Sequence, residues 1–232
     1  MGLNISYNLS LTAGVDQARE IVLALRQKAL DLAFTQVDEF VELQGEACHF
    51  DMDDREDPHI FLKLRGLKPT VIAMNGMSWK DSTYLLAFDT LPGQGCETAA
   101  FGFATHNKIQ AVNDWIWTGF CKTQYASNSE YGGREHFIRC HLALVKLLDE
   151  SQKLGVRCEV DDQGNYWNTR SIFELTAALN AQNVFMAATM GSIKNALDST
   201  ATLQAPILDY PNFEYLEAEG RSSLTDDEPN SP

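Results

Sequence analysis

Apolar and polar residues alternate from Ile5 to Leu11, with Ile5, Tyr7, Leu9 and Leu11 on one side. A period of two predicts a half-buried strand. The spacing then turns helical: Ala18, Ile21, Val22, Leu25 and Ala29 form one stripe of a helix from Asp16 to Asp31. Phe34 to Leu43 returns to an extended pattern, so the chain opens as β-α-β. Short strands are predicted at Ile60–Leu64, Thr70–Met74, Thr83–Phe88 and Ala99–Thr105, with breaks at Leu67–Pro69, Asn75–Gly76 and Leu91–Gly95. A run of short strands between turns suggests an antiparallel sheet or meander.

The stretch from Trp115 to His141 carries the most information. Trp115, Trp117 and Cys121 share parity, so a strand over Asn113–Cys121 sets them on one face. A polar loop from Lys122 to Gly133 follows. The strongest helix runs from Gly133 to Leu154, with Phe137, Cys140, His141, Leu144, Leu147 and Leu148 at helical spacing and Gly155 just past its end. Val156–Val160 reads as a strand and Asp161–Asn165 as a turn. Ser171 with Glu174 forms a capping box, opening a helix that reaches toward Leu197 and bends near Gly191.

The predicted class is α+β: a mixed or mainly antiparallel sheet with helices on one face. Residues 1–198 form one domain, read as two β-α-β-containing halves, 1–110 and 111–198. From Ser199 onward the chain holds seven acids and one base. Residues 199–220 are expected as an extended, surface-docked segment, because Ile207, Tyr210 and Phe213 are too apolar for a free tail. Residues 221–232 are expected as a disordered acidic tail.

Composition narrows function by exclusion. The net charge of −14 disfavours nucleic acid and anionic membranes as partners. Five widely spaced cysteines without a CxxC suit a reducing cytoplasm better than a disulfide framework. Neither a signal peptide nor a membrane span is expected. Gly93-Gln-Gly95 is no dinucleotide fingerprint, and P-loop, GxSxG and HExxH patterns do not occur.

Three constellations could carry chemistry. The first joins Cys121 to His136, Cys140 and His141, a thiol with imidazoles able to act as its base. Trp115 and Trp117 would wall a small pocket there, with Lys122, Gln124, Tyr125 and Arg134 as polar groups at its mouth. The second is the acidic turn Asp51–Asp57 between His49 and His59. It has metal-ligand residue types but neither EF-hand nor zinc-finger spacing. The third, Asp161 and Asp162 with Tyr166, Trp167 and Arg170, is good turn chemistry by itself. No cofactor is implied. The expectation is a binding module for a small molecule or a protein, with homo-oligomerisation open. The alternatives are an enzyme with Cys121 as nucleophile and a metal-dependent hydrolase built on the 48–59 turn.

Overall fold

In a computed structural model, which describes residues 2–32, 34–72, 76–196 and 203–225, the chain folds as α+β. Strand β1 (Asn4–Ala13) leads into helix α1 (Val15–Asp31), whose buried residues are the predicted stripe Ala18, Ile21, Val22, Leu25 and Ala29. Strands β2 (Gln36–Val37) and β3 (Val41–Gln44) follow. Next come the short helix α2 (Ile60–Arg65) and the hairpin of β4 (Lys68–Ile72) and β5 (Gly76–Lys80). Strands β6 (Tyr84–Leu91), β7 (Ala99–Thr105) and β8 (Asn113–Lys122) precede helix α3 (Gly133–Lys153) and strand β9 (Arg157–Asp162). The chain continues through α4 (Tyr166–Thr169), α5 (Ile172–Ala196) and α6 (Phe213–Thr225).

Every pairing among the described strands is antiparallel. The main sheet runs β2-β6-β7-β8-β1-β9, with β3 also on β6. Strand β1 lies between β8 and β9. The two stretches 1–110 and 111–198 therefore share the sheet by interleaving strands rather than standing side by side.

One face of the sheet carries Tyr7, Leu9, Phe88, Phe101, Trp115 and Trp117, all fully buried. Stacking of Tyr7 on Phe101 at 5.0 Å and of Phe101 near Phe88 at 6.1 Å ties these strands side to side. Helices α1 and α3 cover this face; Phe137, Cys140, His141, Leu144, Leu147 and Leu148 of α3 are buried as the spacing predicts. Helix α2 lies on the opposite face, where Gly66 at its end packs against Leu85 and Arg65 reaches Phe120.

Two regions depart from expectation. Ile60–Leu64 is helical rather than extended. A short apolar run has too few residues to show a period. Its neighbours decide instead: Asp57 accepts from the His59 backbone N–H at 2.8 Å and pairs with Lys63 at 2.6 Å, fixing the first turn. The C-terminal segment is also not extended. A 3₁₀ turn at Pro206–Asp209 leads into α6, so the expected boundary at residue 220 falls inside a helix. Ile207, Tyr210, Phe213 and Leu216 bury themselves against Met186 and Ala187 of α5. Gly191 and Gly220 let the helices approach, since a Cβ on either would overlap the facing helix. Helix α5 runs unbroken past Gly191 to Ala196. The expected tail at 226–232, the helix end at Leu197 and the break at Asn75 lie outside the described residues.

The capping box at Ser171 is half formed. Ser171 Oγ accepts from the Glu174 N–H at 3.2 Å, but Glu174 takes its bond from Asn165 Nδ2. No helix among the described residues is long and apolar enough to cross a membrane.

Candidate functional site

The pocket expected beside the tryptophans is solid packing. Trp115 and Trp117 are 0% and 1% exposed. Their indole N–H groups donate to the Ala13 and Ala100 carbonyls at 3.1 and 2.8 Å, as buried indoles must to offset desolvation. Cys121 shares that face and is sealed, its thiol donating to the Glu97 carbonyl at 3.0 Å. Burial, with the Glu97 charge beside it, pushes this thiol well above the usual cysteine range. A sealed neutral thiol is no nucleophile.

His141 is equally enclosed. Its Nε2 lies 3.2 Å from both oxygens of the Asp162 carboxylate, so Nε2–H donates and Nδ1 accepts from the Thr123 hydroxyl at 3.0 Å. Hydroxyl, imidazole and carboxylate stand in the order of a proton relay, but none of the three reaches solvent enough to meet a substrate. Burial raises the Asp162 carboxyl, but His141 beside it and the Trp167 and Gly164 N–H groups that donate to it outweigh burial and hold the carboxyl below the ordinary range. The trio pins the end of β8 to α3 and β9. His136 sits apart from Cys121, beside Cys140.

The polar residues of the loop divide among three places. Gln124 is buried, accepting from the Leu3 N–H at 3.0 Å and donating to Asn183 at 2.9 Å. Lys122 and Tyr125 edge a cleft of about 390 Å³ next to Cys96. Arg134 edges a separate cleft of about 620 Å³ beside α5 and α6. The structure thus does not bring Trp115, Trp117, Lys122, Gln124, Tyr125 and Arg134 into one pocket.

Nor do metal donors converge on the 48–59 turn. His49 pairs with Asp81 at 2.7 Å, Asp57 with Lys63, and Asp51 caps its own turn through the Asp53 N–H. No group of three metal-ligating side chains occurs among the described residues. Asp162 and its neighbours form the expected turn, with Arg170 forked onto Asp149 at 2.8 and 3.0 Å and lying over the Trp167 ring at 4.7 Å.

The apolar concavity lies on the other side of β8. A groove of about 680 Å³ runs between the sheet, α2 and the β4–β5 hairpin. Its walls are Phe61 and Leu64 of α2, Leu67, Trp79 of β5, and Phe120 of β8. Trp79 is 59% exposed, Phe61 71% and Phe120 45%. Large apolar side chains gathered this way are uncommon on a free surface and mark binding sites. Parity explains the position. The odd residues of β8 enter the core, so Ile116, Thr118 and Phe120 point to the second face. Apolar Ile116 and Phe120 at the even positions are the sequence signal of this second face.

Two charged side chains line the groove, Arg65 and Glu97. The Arg65 guanidinium lies 4.8 Å over the Phe120 ring. Among the described residues it has no hydrogen bond or ion pair. The other charge, Glu97, is neutralised by Lys122, whose Nζ lies 3.3 Å away and whose backbone N–H donates to the same carboxylate. The Arg65 charge also acts on the Asp89 carboxyl of β6, which burial otherwise raises. An apolar trough with a guanidinium that makes no hydrogen bond can receive a molecule that is mostly hydrocarbon and carries one anionic group.

No protein-family model, curated protein or solved structure matches the chain.

Proposed function

We propose that the chain is a binding module and that its ligand is a small amphipathic carboxylate, aliphatic or aromatic. The hydrocarbon part lies against Phe61, Leu64, Trp79 and Phe120, and the carboxylate meets Arg65. The observation that carries this reading is an unpaired guanidinium inside an apolar groove, on a chain whose net charge is −14. The groove volume suits a molecule of this kind, since ligand sites span about 300–1,000 Å³. Five free thiols fit a reducing, cytoplasmic setting for this module.

The test uses anilinonaphthalene sulfonate, an aromatic anion, as fluorescent probe and decanoate as competitor. Saturable probe binding that decanoate displaces is expected. Arg65→Gln should weaken both ligands by about tenfold, the scale of one charge-assisted hydrogen bond. Probe binding that ignores both Arg65→Gln and Trp79→Ala would overturn the reading. So would sedimentation as a dimer that Trp79→Ala dissociates, because the groove would then hold a second copy of the chain.

A further inference from the structure

The main sheet ends on two edges of different kinds. Beyond β6 the edge is broken into β2 and β3, of two and four residues. Short, interrupted edge strands are one way a sheet avoids pairing with another chain. The other edge is β9, six residues in unbroken register with β1, without a proline or a bulge.

Register decides which backbone groups of β9 are free. The Gln163 N–H donates to the Asn4 carbonyl at 3.1 Å, which fixes the phase of the β1–β9 ladder. Arg157, Glu159 and Asp161 then exchange bonds with Ser10, Asn8 and Ser6, and Cys158 and Val160 turn their N–H and C=O groups outward. Strand β1 agrees: the Thr123 N–H donates to the Leu3 carbonyl at 3.2 Å, so its odd residues bond β8 and its even residues bond β9. Local bonds close both ends of the open stretch. The Val156 N–H donates to Ser151, and the Asp162 carbonyl accepts from Asn165. No hydrogen bond among the described residues reaches the outward groups of Cys158 and Val160. Their side chains lie on the core face yet are only half-buried, whereas Leu9 and Tyr7 opposite them on β1 are each 1% exposed. The core is thus left open along this edge.

The other face of β9 carries charge. Arg157 and Glu159 pair along the strand at 2.7 Å while 75% and 60% exposed, so exchanging partners costs them little. Opposite charges two residues apart match their own copy when strands meet antiparallel. Two-fold pairing centred on Cys158 sets each Arg157 opposite the second copy's Glu159. Centring on Glu159 would oppose two glutamates, and centring on Val160 would oppose each Glu159 to an Asp161. Charge therefore selects one of these registers.

We propose that β9 pairs with β9 of a second copy of this chain, antiparallel and two-fold about Cys158, so that the two sheets become one. The two Cys158 residues exchange backbone hydrogen bonds, and each Val160 stands opposite the second copy's Val156. Two Arg157–Glu159 pairs bridge the copies. One strand pair buries less than the standard interface of about 1,600 Å², and each copy carries a net charge of −14, so the dimer is weak and reversible. It does not depend on the groove beside Trp79.

Sedimentation velocity of the full chain, at concentrations up to about 1 mM, tests this. A reversible monomer–dimer equilibrium is expected. Val160→Pro removes an N–H that the monomer does not use, and should abolish the dimer with little change in urea midpoint. Arg157→Glu and Glu159→Arg should each raise Kd by at least about tenfold, and the two together should restore it to within about threefold. These charge reversals decide the matter if Val160→Pro fails to fold. Trp79→Ala should leave the dimer intact, which separates it from association through the groove. A chain that stays monomeric throughout, a dimer indifferent to a folded Val160→Pro, or single reversals that their combination does not repair would each overturn the proposal.

Discussion

Strand β8 presents two faces made of similar residues with opposite fates. Trp115, Trp117 and Cys121 are sealed under α1 and α3, while Ile116, Thr118 and Phe120 stay open beneath α2 and the hairpin. Aromatic residues on the first face are spent on stability: their rings stack or pack, and their polar atoms are satisfied. On the second face the aromatic surface remains available, together with a guanidinium that makes no hydrogen bond or close ion pair among the described residues. An aromatic-rich strand therefore says little about where a ligand binds until the covered face is known.

Mutations should separate the two faces. Trp117→Ala should destabilise by about 3–5 kcal/mol, the range for emptying a buried aromatic site, whereas Phe120→Ala should cost under about 1 kcal/mol. Urea unfolding of the two variants measures the gap. Equal losses would mean that α2 closes over Phe120 as tightly as the helices close over Trp117.

The buried relay comes next in size. Asp162→Asn leaves His141 without its carboxylate and should cost about 3 kcal/mol at neutral pH. The folded Asp162 carboxyl is more acidic than in the unfolded chain, so its contribution is complete above about pH 4 and is lost as pH falls through the folded value. The stability gap between the native chain and Asp162→Asn should therefore narrow on acidification below that pH. A gap that stays constant down to pH 2 would show that the carboxylate charge contributes nothing.

The smallest effect concerns the C-terminal helix. The Tyr210 hydroxyl bonds Ser127 at 2.8 Å and donates to the Gln124 carbonyl at 3.3 Å, and burial pushes its pKa up to about 12. Tyr210→Phe keeps the packing and should cost about 1 kcal/mol by urea midpoint. A neutral result would mean that the apolar contacts of Ile207, Phe213 and Leu216 alone hold α6 down.

Elements with one buried face were legible from spacing, because burial imposes a single period over many residues. The stripes of α1 and α3 and the alternation of β1 and β8 show this. Helix α2 was not legible: its six residues hold too few repeats, and the Asp57–Lys63 pair sets its geometry. In α6, Phe213, Leu216 and Gly220 do have helical spacing, but Pro206 and Pro211 before them read as extended chain. The candidate sites were hidden for another reason. Arg65 meets Phe120 only through tertiary packing, and no local pattern marks such a pair.

The most direct test of the groove uses the emission of Trp79, the one exposed tryptophan of the four. Titrating decanoate into the native chain should change that emission with saturation. In Phe120→Ala the half-saturating concentration should rise by about tenfold while the urea midpoint barely moves. Identical titrations in both proteins, or an emission change carried by the buried tryptophans once Trp79 is replaced by Phe, would contradict the account.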